Sequence, residues 1–308
     1  MHNLLHVCLS LLSIALLCNP PSAHASDPVN PYGSGTDISG KITTAIFYSQ
    51  GTPAQEHWNN FPITVPEGYV VIGGGAVGCY TDGNYLVASY PSTDLTTWYV
   101  STKDQIEADA CEIVGYAIGM SVEGLTSAQL ASYISVTQSN SAVAQYPSVS
   151  VSVPANYTLL GGGYNTNYGT GNGVIATAIY PASATSMQFN AKSQGNPEDQ
   201  VSATVYAIGI LTQIPGVGTI KSAPSDTTSV SNEEFPTNVL ANLTTGYALT
   251  GCGAQDVWSG AGNLLYALYP TYLIGAGSGT CSASAKDDTW PGNATEFTVW
   301  AMGIQLVQ

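Results

Sequence analysis

Short apolar runs alternate with polar positions along this chain, and clusters of Gly, Pro, Asn and Asp separate the runs. In residues 201–209 every second position is small or apolar, and Ser and Thr fill the first positions between them. A period of two residues is that of a β-strand, whose side chains point alternately to the two faces of a sheet. No stretch sustains a helical period. The pattern predicts an all-β fold.

Three sequence motifs recur at a nearly constant spacing. The first, a tyrosine followed by an apolar segment and a glycine-rich run, occupies residues 68–76, 156–164 and 246–254. The second, Tyr-Pro, occupies residues 90–91, 180–181 and 269–270. The third, an aromatic residue followed by Ala, an apolar residue and Gly, occupies residues 116–119, 206–209 and 300–303. Repetition at a fixed period predicts three copies of one structural unit.

We place the units, each of about 88 residues, at residues 41–124, 129–213 and 219–308, and expect them to form one domain. Units that close around a common axis share a core and hide their sheet edges. We therefore predict a pseudo-threefold arrangement, with three consecutive small β-sandwiches as the alternative. The glycine-rich runs would mark bulges or close strand crossings. A phosphate loop is disfavoured because no helix follows them.

The motifs together resemble those of a group of secreted three-repeat proteins. The stretches that carry the resemblance are residues 68–76, the segments 86–91 and 265–270, and the run from Trp98 to Asp104. They are similar to modules attached to some pore-forming toxins and to proteins of the vitelline-membrane outer-layer type. The resemblance implies a β-prism-like fold.

The amino-terminal residues have the features of a secretion signal. An apolar run at residues 7–17 is followed by Ala23-His24-Ala25, the small-x-small pattern of signal cleavage. We expect residues 1–25 to be a signal peptide, residues 26–40 to be a flexible lead, and the protein to be secreted. No later apolar run is long enough to span a bilayer.

Four cysteines lie beyond the predicted signal peptide, two in the first unit and two in the third. In an oxidising compartment this distribution predicts two bridges within units. The expected pairs are Cys79 with Cys111 and Cys252 with Cys281. Zinc binding by cysteines is disfavoured because the chain has no Cys-x-x-Cys pair and His57 is the one histidine beyond residue 25.

The charge balance is strongly acidic. The chain has no Arg, only five Lys, and 20 Asp and Glu, for a net charge of −15. Nucleic acid and anionic lipid are therefore unexpected partners, because both require a basic surface. Charged residues make up only 8% of the chain, a low share for a soluble protein. Its solubility must depend on neutral polar side chains.

Two groups of polar side chains suggest ions or sugars at the surface. The acidic run Asp104, Glu107 and Asp109 is a weak calcium candidate, and a solvated turn is the interpretation that we favour. No other metal and no cofactor are predicted. Asn-x-Thr sequons are candidate glycosylation sites in a eukaryotic source. They lie at Asn156, Asn242 and Asn293.

The segments between each glycine-rich run and the following Gly-Asn pair differ in all three units. Gly-Asn pairs favour tight turns, and loops that vary on a repeated scaffold are where binding specificity is usually found. We expect these loops to carry the ligand-binding residues. The candidates are Tyr80, Asp82, Asn84, Tyr164, Asn172, Trp258 and Asn263.

Three lysines also follow the repeat, at Lys103, Lys192 and Lys286. We expect them to cap strand-end carbonyls or to form surface ion pairs with Asp104 and Asp287. No nucleophile–base pair or Gly-x-Ser-x-Gly elbow is present, so we predict a protein that is not an enzyme.

The sequence favours a secreted, non-catalytic recognition protein that binds glycans or glycosylated surfaces at three equivalent sites. A structural coat or matrix protein that packs against copies of itself is the alternative. An extracellular hydrolase that works with two carboxylates is the third hypothesis.

Overall fold

The computed structural model describes residues 31–80, 83–168, 173–193, 199–223, 226–233, 235–259, 263–272, 279–287 and 293–307. The predicted signal peptide and residues 26–30 of the predicted lead lie outside this part of the chain. No helix of the described residues is long and apolar enough to cross a membrane.

The described residues form 21 strands and one short helix. The first segment contains β1 (Gly33–Thr36), which lies in the predicted lead, and six strands of the first unit: β2 (Ile42–Gln50), β3 (His57–Thr64), β4 (Val70–Val77), β5 (Tyr85–Pro91), β6 (Thr97–Lys103) and β7 (Val114–Val122). The next segment contains α1 (Ser127–Ser132), β8 (Ile134–Asn140), β9 (Ser148–Ser152), β10 (Tyr157–Asn165), β11 (Val174–Ser183), β12 (Ser186–Ser193) and β13 (Thr204–Leu211). The last contains β14 (Gln213–Ile214), β15 (Gly218–Ser222), β16 (Asp226–Glu233), β17 (Val239–Asn242), β18 (Ala248–Ser259), β19 (Leu264–Tyr272), β20 (Gly279–Lys286) and β21 (Asn293–Val307).

The prediction of an all-β fold is confirmed, since the strands form three antiparallel sheets. Sheet 1 has the order β1-β2-β7-β4-β19-β20-β17, and sheet 2 the order β3-β6-β5-β10-β13-β8. Sheet 3 has the order β14-β15-β21-β18-β11-β12-β9, with β16 also paired to β21. The helix α1 was not predicted. Its signal is the capping box that Thr126 and Gln129 form at its start.

Each sheet joins strands from two units. The junctions are β4 with β19 in sheet 1, β5 with β10 in sheet 2, and β11 with β18 in sheet 3. Three self-contained sandwiches would keep their strand pairing within each unit, so this alternative does not describe the sheets. Apolar side chains between the sheets form one large cluster that includes Phe47, Trp98 and Phe189.

The glycine strands β4, β10 and β18 pair with β7, β13 and β21, and the register slips by one residue at the same place in each pair. The slips lie between Val71 and Gly73, Leu159 and Gly161, and Leu249 and Gly251. The expectation that the glycine-rich runs mark bulges is therefore confirmed.

The first glycines of these runs lie where the three glycine strands approach one another. A Cβ atom on Gly251 would lie 3.0 Å from the Cα of Gly161, and one on Gly73 would overlap the carbonyl oxygen of Thr250. Thr250 Oγ1 donates a hydrogen bond of 2.6 Å to the carbonyl of Leu160. Backbone thus packs on backbone at this crossing, and the contact is tightest at Gly73, where a side chain would not fit.

The middle position of each run contacts a side chain from a strand of another sheet. A Cβ atom on Gly74 would lie 2.5 Å from the Trp98 ring, and one on Gly162 would lie 2.6 Å from Met187. In the third unit Cys252 takes the middle position, and its bridge to Cys281 takes the place of the large side chain. The equivalence follows from the register, because Trp98, Met187 and Cys281 pair with the prolines of the three Tyr-Pro motifs.

Both predicted disulfide bonds are confirmed. Cys79 is bonded to Cys111 with a Cα–Cα distance of 5.7 Å, and Cys252 to Cys281 with one of 5.5 Å. These separations lie in the ordinary range for a bridge.

Candidate recognition surfaces

The predicted ligand-binding residues do not share one exposed surface. Tyr80 is 69% exposed, and Trp258 is partly exposed. In contrast, Asn84, Tyr164 and Asn263 have 0–1% of their surface exposed. Asp82 and Asn172 lie outside the described residues.

These three residues are buried, and this corrects the prediction that they lie on the exposed surface of the loops. Asn84 Nδ2 donates hydrogen bonds to the carbonyls of Glu56 at 3.1 Å and Asp109 at 3.2 Å. Tyr164 stacks on Phe189 with ring centroids 4.7 Å apart. Asn263 has a φ of 57°, a turn conformation that asparagine tolerates better than most residues. Burial of the first two residues depends on contacts distant in sequence, which the local pattern did not reveal.

The three repeated lysines are buried at the same end of the molecule. Lys103 ends β6, Lys192 lies one residue before the end of β12, and Lys286 ends β20; their exposure is 5%, 1% and 5%. We call this end of the sheets the lysine end. The expected surface location of these lysines is thus wrong.

Aromatic rings from other strands and loops cover the ammonium groups. Lys103 Nζ lies 5.8 Å from the centre of the Tyr168 ring, and Lys192 Nζ lies 4.0 Å from that of Trp258. Lys103 also donates a hydrogen bond of 2.8 Å to the carbonyl of Asp104, as the capping hypothesis predicted. Cation–π contacts and hydrogen bonds together compensate part of the cost of burying these charges.

A buried carboxyl group lies near Lys192. Asp256 is 4% exposed, and its burial raises the pKa of its carboxyl group to about 8, although the charge of Lys192 opposes this rise. Burial lowers the pKa of Lys192 to about 8, against the attraction of Asp256 and Asp287. Both shifts have the direction expected when the charged form loses its water.

The acidic run that we considered for calcium is not the set of possible metal ligands that lie close together in this region. Among the described residues, the side chains whose ligand atoms lie within 4.8 Å of one another are those of Glu56, His57 and Asp104. Glu107 and Asp109 are not part of this group. Asp104 is therefore the one residue common to the predicted calcium site and to this group.

Of the three sequons, Asn156 and Asn242 are exposed. Asn156 has a φ of 68° and lies just before β10, so the strand does not bury it. The side chain of Asn293 lies outside the described part of the structure.

A different set of aromatic residues forms a regular surface feature. On each sheet, the tyrosine of a Tyr-Pro motif from one unit stacks on the aromatic residue of the third motif from another unit. The pairs are Tyr90 with Tyr206 at 5.6 Å, Tyr269 with Tyr116 at 5.2 Å, and Tyr180 with Trp300 at 5.2 Å. Their interplanar angles are 11°, 22° and 21°. All six rings are partly exposed, and we call them the sheet-face aromatic pairs.

The glycine at the third position of each run explains how the rings of a pair meet. A Cβ atom on Gly163 would lie 2.5 Å from the carbonyl of Ser89 and 2.9 Å from the Cα of Tyr90. One on Gly253 would lie 2.9 Å from the carbonyl of Ile179. The strand of the neighbouring unit therefore passes directly beside the glycine, and this brings its tyrosine next to the aromatic residue of the third motif.

The surroundings of the three pairs differ. Tyr116 lies 6.4 Å from the ring of Tyr48, which is 44% exposed. Tyr90 has Tyr99 at 5.7 Å and donates a hydrogen bond of 2.8 Å to Asn60 Oδ1.

The third pair adjoins a surface groove of about 290 Å³. Trp300, Pro181 and Met302 supply part of its apolar wall, and Ser183 and Ser222 supply hydroxyl groups.

Comparison of the chain with protein-family models and with curated protein sequences found no match. Its function must therefore be argued from the surface itself.

Proposed function

We propose that this is a secreted, non-catalytic recognition protein that binds glycans through the three sheet-face aromatic pairs. The observation that carries the proposal is the recurrence of one partly exposed stacked pair on each sheet. An aromatic ring offers a flat apolar face and, in tyrosine and tryptophan, a polar group at its edge. This combination suits a sugar ring, which has apolar C–H faces and a border of hydroxyl groups.

The charge of the protein favours neutral glycans as its partners. With a net charge of −15 and five lysines, of which Lys103, Lys192 and Lys286 are buried, the surface has few cations for an acidic sugar. Three weak sites on one rigid molecule gain affinity when a surface presents many copies of the ligand. The target is thus a glycosylated surface in preference to a single free sugar.

The proposal includes a β-prism-like arrangement of three homologous units around a pseudo-threefold axis. Its support is that the same register slip, the same junction between units and the same aromatic pair occur in all three sheets. It includes secretion as well. Two disulfide bonds support this part, because such bonds persist mainly outside the reducing cytosol.

A glycan array with the purified protein tests the proposal. We expect retention on neutral glycans, and we expect the double substitution Tyr90→Ala and Tyr206→Ala to weaken it by about tenfold, since aromatic contacts dominate small recognition sites. The matched control is Tyr80→Ala, which removes a ring that is 69% exposed at the loop tip. If only the Tyr80 variant loses binding, the site lies on the variable loops and the sheet-face proposal is wrong.

Self-assembly into a coat or matrix is the second candidate, because the aromatic surface of sheet 1 could equally pack against another copy. Tyr32 is 58% exposed and lies 5.8 Å from the ring of Tyr48. Sedimentation velocity across a range of protein concentrations separates the two. Assembly that Tyr32→Ala and Tyr48→Ala abolish, without retention of any glycan, would favour the structural role.

A further inference from the structure

One cluster of titratable side chains lies apart from the aromatic pairs. Glu56 and His57 are exposed, Asp104 is buried, and one ligand atom from each lies within 4.8 Å of the others. His57 Nδ1 and Asp104 Oδ1 are 3.0 Å apart. We call these three residues the Glu56–His57–Asp104 cluster.

Strand pairing, backbone hydrogen bonds and a neighbouring disulfide bond fix the backbone around the cluster. His57 begins β3 and pairs with Lys103 at the end of β6, so Asp104 follows directly on the adjacent strand. The Asp104 N–H donates a hydrogen bond of 3.1 Å to the carbonyl of Glu56. The same carbonyl accepts a bond from Asn84 Nδ2, as described above. The isolated bridge between Gln55 and the disulfide-bonded Cys111 fixes the residue before Glu56.

The spacing of the ligand atoms fits a small divalent ion. A tetrahedral Zn²⁺ site has bonds of about 2.0–2.2 Å to nitrogen and oxygen, which places neighbouring ligand atoms about 3.4 Å apart. The His57–Asp104 separation of 3.0 Å lies a little below that value, and no two of the three ligand atoms are more than 4.8 Å apart, so small side-chain rotations would complete three ligands. The side chain of His57 is 43% exposed, which leaves room for water or a further ligand in the open position.

The charge of the cluster also favours a cation. Two carboxyl groups face one ammonium group, that of Lys103, whose Nζ lies 3.7 Å from Asp104 Oδ1. The same ammonium group also donates a hydrogen bond to the backbone carbonyl of Asp104. Lys103 would keep this bond if the Asp104 carboxylate rotated to bind a metal ion. An imidazole among the ligands favours zinc and neighbouring transition metals over calcium, which prefers a shell of oxygens alone.

We propose that the Glu56–His57–Asp104 cluster binds one divalent transition metal ion, with Zn²⁺ as the ion expected outside the cell. The proposal is independent of glycan binding. The ion would tie the start of β3 to the end of β6, and thus stabilise the border of sheet 2 at the lysine end.

The test is isothermal titration of the protein, purified without a histidine tag, with ZnCl₂. We expect one bound ion per chain, and we expect His57→Ala to weaken the affinity by about tenfold or more, because loss of even an outer-shell partner commonly costs 10–100-fold. Glu56→Gln should weaken it as well. The matched control is Glu107→Gln, which changes a nearby carboxylate outside the cluster and should leave the affinity within about twofold.

A thermal unfolding assay supplies a second measurement. Zn²⁺ should raise the melting temperature of the unchanged protein and of Glu107→Gln but not that of His57→Ala. Substitution of Asp104 could also disturb Lys103, so the result rests on His57 and Glu56. No binding by the unchanged protein, or equal binding by His57→Ala, would overturn the proposal.

Discussion

The junction between units in sheet 1 gives a quantitative test of the fold. Gly75 lies in β4 beside β19, and a Cβ atom on it would lie 2.9 Å from the carbonyl carbon of Leu268 and closer still to the oxygen. It would also lie 3.0 Å from the Cα of Tyr269. These are backbone atoms, so no side-chain rotation relieves the overlap. We expect Gly75→Ala to force β4 and β19 apart.

The expected cost follows from the atoms that must move. Overpacking of a well-packed interior costs about 1–3 kcal/mol, and a clash with backbone belongs at the upper end of that range. The register of β4 with β19 contains only two residue pairs, and both lie next to Gly75, so a shift that relieves the overlap disturbs the whole junction. We expect the free energy of unfolding to fall by about 3 kcal/mol, which lowers the melting temperature of a chain of this size by about 6–12 °C.

The matched control is Gly161→Ala in the equivalent run of β10. Its Cβ atom would lie 3.3 Å from the nearest atom, the Cα of Gly251, so a shift of a few tenths of an ångström suffices. We expect a change within about 1 kcal/mol. Differential scanning calorimetry measures both variants, and near-ultraviolet circular dichroism reports the Tyr116–Tyr269 stacking. If Gly75→Ala melts no earlier than Gly161→Ala, the close junction between units is not as described.

Two further predictions concern buried groups in the third unit. Burial raises the pKa of Asp256 to about 8 in the folded protein, from an ordinary value of 3.8. Between these two pH values the carboxyl group is protonated in the folded state but ionised in the unfolded state. The free energy of unfolding should therefore fall as pH rises, by up to about 1.4 kcal/mol per pH unit. Urea unfolding at pH 5, 6 and 7 measures this slope, and Asp256→Asn should reduce it; equal slopes in both proteins would refute the burial argument. Replacement of Cys252 and Cys281 by Ser should cost about 3 kcal/mol, because the bridge closes a loop with a sequence separation of 29 residues. Chemical unfolding under non-reducing conditions checks this value, and a loss well below 1 kcal/mol would contradict it.

Much of the fold could be predicted from local pattern. Alternation of apolar and polar residues indicated the strands, and the distribution of four cysteines indicated both bridges. The sharing of sheets could not be predicted, because the sequence does not say whether β5 pairs with a strand of its own unit or with β10. That pairing also decides which tyrosines meet, so Tyr90 and Tyr206 were recognised as repeated residues but not as a pair.

The errors at the candidate site have a common physical cause. Tyr164 and Lys192 are residues that a loop or a charge would ordinarily place at the surface. Phe189 stacks on the first, and the ring of Trp258 covers the second. Both contacts join segments that are distant in sequence. A charged residue kept at the same place in every unit was the signal that could have indicated burial.

A crystal structure with a bound oligosaccharide tests the central proposal most directly. The probe is the neutral oligosaccharide that the protein retains best on the array, soaked into crystals of the unchanged protein. Our account predicts a sugar ring packed on at least one of the sheet-face aromatic pairs, such as Tyr180 and Trp300 beside the groove. A sugar bound only at the variable loops, against Tyr80 or Trp258 and away from all three pairs, would contradict it.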